Sequence, residues 1–439
     1  MKLERAQTGL LAALAATVSI SIFASETLLA LSLLVLAARL VHKRARLEAT
    51  SVDTPLVAFA IWTLLAASFA ANPARSHEDA KKLLLFSLFY LAVEVMARDA
   101  GHERTLSAVL LGGLALATLV VVQHHFLGFD RLDRRPPGFL GHYMSAAGAI
   151  MVSLLIAASR LAFGPRPRFR LRDGWLVALV LVGVAAVAVL DAAGHERVGT
   201  RLFVVGLAAL AAALALSRSP RVRAAEATLP LLVLPIAAWA LVVSQTRGVW
   251  IGAVVGLTLT AFLRAPRLLA LVAVLLAALV VSKPAPLVGR LTMTDASSVD
   301  RYYMWQAGID MIVDRPVFGM GPGMILSSYP RYRWPEAPNP NAPHLHNNLL
   351  QLAAERGLPG LAFFLWWALA AFLTALRGLA GARGDPSTGP AAIAAFAVLA
   401  AIFGAGLFEY NLGDSEVLML VLLLMAVPFA LARARALPA

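Results

Sequence analysis

There is no cysteine among the 439 residues, so disulfides, thiolate metal sites and cysteine nucleophiles are excluded together. Charge is scarce as well. Asp, Glu, Lys and Arg make up 14% of the chain and hydrophobic residues 60%, whereas an ordinary soluble domain carries roughly a quarter charged residues. That balance excludes an ordinary soluble protein. Negative charge is the scarcer sign, with 25 Asp and Glu against 38 Lys and Arg and a formal charge of +13. In a soluble chain such an excess would suggest nucleic acid; in a membrane protein it follows from the arginines and lysines that collect in cytoplasmic loops. No nucleic-acid partner is therefore expected. Nor is there an internal repeat, a low-complexity tract or a nucleotide-binding domain. The glycine-rich run at Gly319–Gly323 lacks the following Lys-Ser/Thr of a phosphate loop and reads as a plain turn.

What the sequence has in abundance is apolar runs with hardly a charge inside, such as Leu83–Ala97, Leu176–Leu190 and Leu268–Val281. Counting stretches near the length a bilayer requires yields about 14 candidate spans, or about 12 if a weak pair is merged. They centre near residues 15, 34, 63, 89, 114, 150, 183, 209, 236, 256, 275, 367, 400 and 424. The basic, apolar start resembles a signal peptide, but Leu28–Leu40 follows at once, so an uncleaved first hairpin is expected. Arginines and lysines fall on alternate connections: Arg39, Lys43, Arg44 and Arg46; Arg160 to Arg172; Arg218, Arg221 and Arg223; Arg264 and Arg267; Arg377 and Arg383. This predicts cytoplasmic termini. It also predicts an all-α polytopic protein in three parts: an N-terminal helix bundle over 1–283, a large outer loop over 284–356, and C-terminal helices over 357–439.

The large loop does not read as disordered. SSVDRYYMWQAGIDMIVDRP suggests an amphipathic helix capped by Ser298, with Tyr302, Trp305, Ile309 and Ile312 on its apolar face and a stop at Pro316. A second short helix is expected from about His346, where Pro343 releases the chain.

Arginines on the outer side are not explained by topology. Arg247 lies in a short outer turn, Arg131, Arg134 and Arg135 precede the sixth span, and Arg301 opens the amphipathic helix. A single arginine at a span boundary often only snorkels to water. Three outer segments each supplying guanidinium suggest a shared anion, and the bidentate fork suits a pyrophosphate. Lys81 and His142 are secondary candidates. Of the nine histidines, His344 and His346 stand as a pair. No third or fourth ligand is near them in sequence, so a metal site is not expected. A histidine at a helix N-terminus tends to stay neutral and can accept a proton, the property of a general base.

At these residues a family resemblance enters. His346-Asn347 followed after nine residues by Gly357-Leu358-Pro359-Gly360 resembles the signature of the bacterial O-antigen ligase family. Arg247-Gly248, the stretch RRPPGFLGHYMS and the stretch DRYYMWQAGIDMIVDRPVFGMGPG are similar to further motifs of that family. The resemblance covers Arg135 to Gly360. It implies a GT-C-like glycosyltransferase of the bacterial inner membrane, with its active site facing the periplasm. The implied donor is O-antigen linked to undecaprenyl pyrophosphate, and the implied acceptor is lipid A–core oligosaccharide. His346 would be the general base, Arg247 would be catalytic, and Arg135, Arg247, Arg301, His344 and Asn347 would bind pyrophosphate or substrate. No Asp-x-Asp pair stands on the outer side, so no metal or cofactor is expected; direct displacement would invert the anomeric centre. The superfamily also contains O-antigen polymerases and protein O-oligosaccharyltransferases, which remain alternatives. A lipid-linked glycan transporter is a further alternative, although it should place charges near mid-membrane.

Overall fold

The computed structural model describes residues 2–127, 137–165, 220–270, 273–274, 296–382 and 384–436. In chain order the helices are α1 (Lys2–Thr17), α2 (Ile22–Val41), α3 (Asp53–Ser68), α4 (Pro73–Ala80), α5 (Ser87–Met96), α6 (Ala100–Leu127) and α7 (Tyr143–Phe163). There follow α8 (Pro220–Val243), α9 (Arg247–Arg264), α10 (Ala296–Asp314), α11 (Ile325–Tyr332), α12 (Asn348–Ala382), α13 (Gly389–Ala405) and α14 (Ser415–Ala436). No strand occurs among the described residues, as expected for an all-α polytopic membrane protein: in lipid, a helix satisfies its backbone groups internally.

Among the described residues, six helices are long and apolar enough to cross a bilayer: α2, α6, α7, α9, α12 and α14. α3, α13 and Leu229–Val243 of α8 are shorter apolar helices. The span expected near residue 89 is composite. Asn72 caps it by accepting from the Arg75 N–H at 3.1 Å, and α4 passes through a 3-10 turn, Lys81–Phe86, into α5. The spans expected near 183, 209 and 275 lie outside the described residues.

Three expectations need correction. Arg39, taken as a loop charge, is fully buried; it donates to Glu94 at 2.8 and 3.0 Å, to the Arg44 carbonyl at 3.0 Å and to Gln7, tying α1, α2 and α5 together. Ser298 does not cap α10, which begins at Ala296; its hydroxyl instead accepts from Arg247. The face of α10 is also rotated. Met304, Ala307 and Met311 are buried, whereas Tyr302 and Ile309 are exposed, because the helix turns one side to the loop's own core and a neighbouring flank to the bundle, leaving this side uncovered.

That core joins Met304, Ala307 and Met311 to Met320, Met324, Ile325, Tyr329, Ala342 and Leu345, with Ala70 and Ala354 at its base. It is fastened to α12 at a kink. Gly357 adopts φ 70 and ψ 176, and Pro359 has no N–H to donate back to the Glu355 carbonyl. The freed acceptors pair with the glycine-rich turn: Met320 N–H reaches the Ala354 carbonyl at 2.8 Å and Gly321 N–H the Glu355 carbonyl at 2.9 Å. Leu358 N–H returns to the Pro316 carbonyl at 2.8 Å. The Gly-Leu-Pro-Gly motif thus opens a helix so that the loop can dock on it, and Gly319–Gly323 is a structural turn.

Candidate active site

α9 reaches the site through a stripe of glycines. A Cβ on Gly252 would lie 2.5 Å from the Ala401 carbonyl, so only glycine permits this approach to α13; one on Gly256 would press on the Leu155 methyls of α7 at 2.6 Å and sit 3.2 Å from the Ala397 carbonyl. At the end of the stripe, a Cβ on Gly248 would lie 2.7 Å from Cγ of Glu409 and 3.0 Å from the Ala405 carbonyl. Arg247, the first residue of α9, is thereby set beside the α13–α14 connection, and it donates to Ser298 on α10.

The connection carrying Glu409 is sewn to the start of α12. Asn348 N–H donates to the Gly406 carbonyl at 2.7 Å, and its side-chain Nδ2 donates to Asn411 at 2.7 Å. Asn347 caps the helix, its Oδ1 accepting from Leu349 N–H at 2.9 Å and Leu350 N–H at 3.0 Å, while its Nδ2 donates to the Leu407 carbonyl at 3.0 Å. His346 precedes this cap rather than lying in the first turn. Its backbone is left-handed, with φ 49, a conformation costing roughly 1–2 kcal/mol outside glycine. Such an outlier persists where its surroundings over-determine it, and it points to a functional constraint.

Leu345 supplies part of that determination. It is fully buried, its carbonyl accepts from Trp305 Nε1 at 2.9 Å, and its N–H donates to Gln351 at 2.8 Å. The two histidines flank this anchor with ring centres 4.2 Å apart, edge to face.

Glu409 joins the parts. Arg301 Nη2 lies 2.7 Å from Oε1, His346 Nδ1 lies 3.1 Å from Oε2, and only 4% of the Glu409 side chain is exposed. Burial alone would raise this carboxyl, but the His346 hydrogen bond and the Arg301 guanidinium outweigh it and hold it below the usual carboxylate range. An ionised carboxylate only accepts, so His346 Nδ1 carries the proton and donates. In the neutral imidazole that contact leaves the lone pair on Nε2, the arrangement a proton acceptor requires. His344 is different: burial and the adjacent His346 push it down to about 3, so it is neutral at pH 7. Its Nδ1 is buried without a hydrogen-bond partner among the described residues.

The structure therefore brings together Arg247, Arg301, His344 and His346, with Asn347 engaged in capping. Arg135 lies outside the described residues. Lys81 is exposed at the start of the 3-10 turn, and the His142 ring stacks on Tyr143 at 5.1 Å. Glu409 was missed from the sequence. So was Asp414, which accepts from Ser145 at 2.6 Å and whose carboxyl is raised by burial in spite of that bond. The available signal was a group of three acids, Glu409, Asp414 and Glu416 in FEYNLGDSE, on a connection expected on the same side as the unexplained arginines; basic groups crowded at one end of a bundle require a counter-charge.

Residues 230–365 match the family model described as O-Antigen ligase. That segment contains Arg247, Arg301, both paired histidines, Asn347 and the Gly357 kink, and it supports the O-antigen ligase superfamily that the residue pattern resembles. No curated protein matches the chain.

Proposed function

We propose, on the premise of the O-antigen ligase superfamily and the lipid-linked polysaccharides on which it implies this chain acts, that this protein is the ligase itself. It transfers a glycan from undecaprenyl pyrophosphate to lipid A–core oligosaccharide at the periplasmic face of the inner membrane. The observation that carries the reading is the His346–Glu409–Arg301 bridge, in which one carboxylate orients a base and holds an arginine.

In the proposed step an acceptor hydroxyl oxygen attacks the anomeric carbon. The bond from that carbon to the pyrophosphate oxygen breaks, its electron pair leaves with the lipid pyrophosphate, and the hydroxyl proton passes to His346 Nε2. Glu409 opposes the positive charge that develops on the imidazole. Arg247 and Arg301 face the charge gathering on the leaving group, a role in which preorganised donors contribute most when water is excluded. Arg135 is proposed to join them, Asn347 to hold the His346 loop, and His344 to line the acceptor side as a neutral imidazole. Guanidinium groups then do what a divalent ion does in other glycosyl transfers, and direct displacement inverts the anomeric configuration. A polymerase or a protein O-oligosaccharyltransferase would share the donor and differ only in the acceptor.

Replacement of His346 by Ala tests the reading. As a base its loss should lower turnover by about 100-fold to 10,000-fold, while the purified protein still folds and still binds lipid pyrophosphate. The His344→Ala variant should be milder. Near-normal ligation by a folded His346→Ala variant would refute the assignment, and transfer from the same donor to a protein or a growing polymer but not to lipid A–core would redirect it to a relative.

A further inference from the structure

The exposed side of α10 is apolar where a solvent-facing helix should be polar. Val299, Tyr302, Ile309 and Val313 fall within a sector of about 80° at about 100° per residue, with half-buried Gln306 as the one polar residue among them, and Val313 is 75% and Tyr302 55% exposed. The neighbouring flank is the polar one: Asp310 accepts from Trp334 Nε1 at 3.0 Å and Asp314 accepts from the Tyr332 hydroxyl. The exposed arc is therefore divided lengthwise into an apolar and an acidic half. On its far side the apolar half adjoins the flank that rests on the bundle, where Arg301 meets Glu409 and the Trp305 ring lies 6.2 Å from that of Phe408.

Both ends of α10 are tied to apolar helices. Ser298 and Arg301 hold its start to Arg247 of α9 and to Glu409 after α13. Beyond its last turn, the Pro316 carbonyl accepts from Leu358 N–H at the α12 kink at 2.8 Å, and Phe318 stacks on Phe69, just past α3, at 4.3 Å and on Trp62 within α3 at 5.3 Å. A helix about 28 Å long at about 1.5 Å per residue, held in this way at both ends, runs across one end of the helix bundle.

We infer that α10 is an interfacial helix whose Val299–Tyr302–Ile309–Val313 stripe docks into the acyl and headgroup boundary of the leaflet on the candidate-site side. The occupant is the bilayer, because the stripe is continuous with surface that faces lipid. From Val313 it passes through exposed Val317 to Phe69 and Leu358, and on to Ile61, Leu64 and Leu65 on the outward face of α3. Charge agrees: exposed Arg315 stands between Val313 and Val317 in the chain and supplies a cation beside the stripe. This pattern of an apolar strip with a flanking cation is how helices lie in the interface plane. Docking sets the depth of Arg301, on the same helix, at the level where a lipid-linked pyrophosphate sits. The docking itself does not rest on the glycosyl-transfer reading.

The absence of native cysteine makes the test direct. Single cysteines in place of Tyr302, Ile309, Val313, Asp310 and Glu336 would carry nitroxide labels in the full chain, reconstituted into phosphatidylethanolamine–phosphatidylglycerol vesicles. Collision with oxygen, which concentrates in the bilayer, would be compared with collision with a water-soluble nickel chelate. Labels at 302, 309 and 313 should favour oxygen by several-fold, and labels at 310 and 336 should favour nickel. Nickel preference at the stripe would overturn the inference by placing it in water. Low accessibility to both quenchers there would overturn it equally, because another protein surface would then cover the stripe. Neither outcome depends on ligation, so failure here leaves the catalytic reading to its own test.

Discussion

Exchanging the Glu409 carboxylate for an amide, Glu409→Gln, changes the site's charge with almost no change of shape. In the native protein the carboxylate lies 2.7 Å from Arg301 and 3.1 Å from His346, with 4% of its side chain exposed. At 2.7 Å and an effective dielectric near 20 the gross attraction to Arg301 is about 6 kcal/mol. Most of it offsets desolvation, and breaking a buried pair from one side typically costs about 3–5 kcal/mol. The amide oxygen can still accept from Arg301, so a loss near the lower end, about 3 kcal/mol, is expected. The larger effect falls on His346. A glutamine can present its NH2 to Nδ1, which favours the tautomer with the proton on Nε2, and that tautomer cannot take one. A mis-set tautomer of this kind lowers turnover about 10,000-fold in a serine-protease triad, so a loss of 100-fold to 10,000-fold is expected here. Initial rates of transfer from lipid-pyrophosphate glycan to lipid A–core, measured with purified protein across pH, would report it. Because part of the Glu409 effect passes through His346 and the rest through Arg301, adding Glu409→Gln to His346→Ala should lower the rate by much less than it does in the native protein. A Glu409→Gln protein with turnover within a few-fold of native and an unshifted pH profile would refute the reasoning.

Other outcomes follow from the same geometry. Gly252→Leu should detach α9 from α13, since even a Cβ would lie 2.5 Å from the Ala401 carbonyl, and should lower both thermal stability and activity; unchanged values for both in detergent would count against the close approach. His344 is held near 3 in the fold against about 6.5 unfolded, so the unfolded chain binds more protons between those values and stability falls as pH drops through that window. Going from pH 7 to pH 5 should cost about 2 kcal/mol, and His344→Asn should flatten that part of the profile in thermal melts at the two pH values. Arg247→Lys should impair transfer nearly as much as Arg247→Ala, because lysine keeps the charge and loses the fork. EDTA should leave purified activity intact, and strict dependence on added magnesium or manganese would overturn the assignment of the leaving group to arginines.

Composition and local pattern determined much by themselves. A run of apolar residues crosses a membrane as a helix whatever its neighbours are, so the all-α polytopic architecture was legible from run length. The motif after His346 was legible only as a resemblance; that Asn347 caps the helix and that Gly357 and Pro359 open a kink in it emerged with the structure. Pairing across the chain was not legible. Glu409 is 63 residues beyond His346 and 108 beyond Arg301, and it meets them because Asn348 and Asn347 fasten its connection to α12 while the α9 glycines draw Arg247 alongside. Periodicity could not foresee this, since it records which face of a helix is apolar and not what that face meets. The same limit applies to α10, where Tyr302 and Ile309 were expected inside: an apolar side chain satisfies the pattern equally against a protein core or against lipid. It applies to Arg39 as well, whose charge counted toward topology until three helices closed around it and Glu94. Which charges are buried together, and therefore which of them can do chemistry, was decided only by how the helices pack.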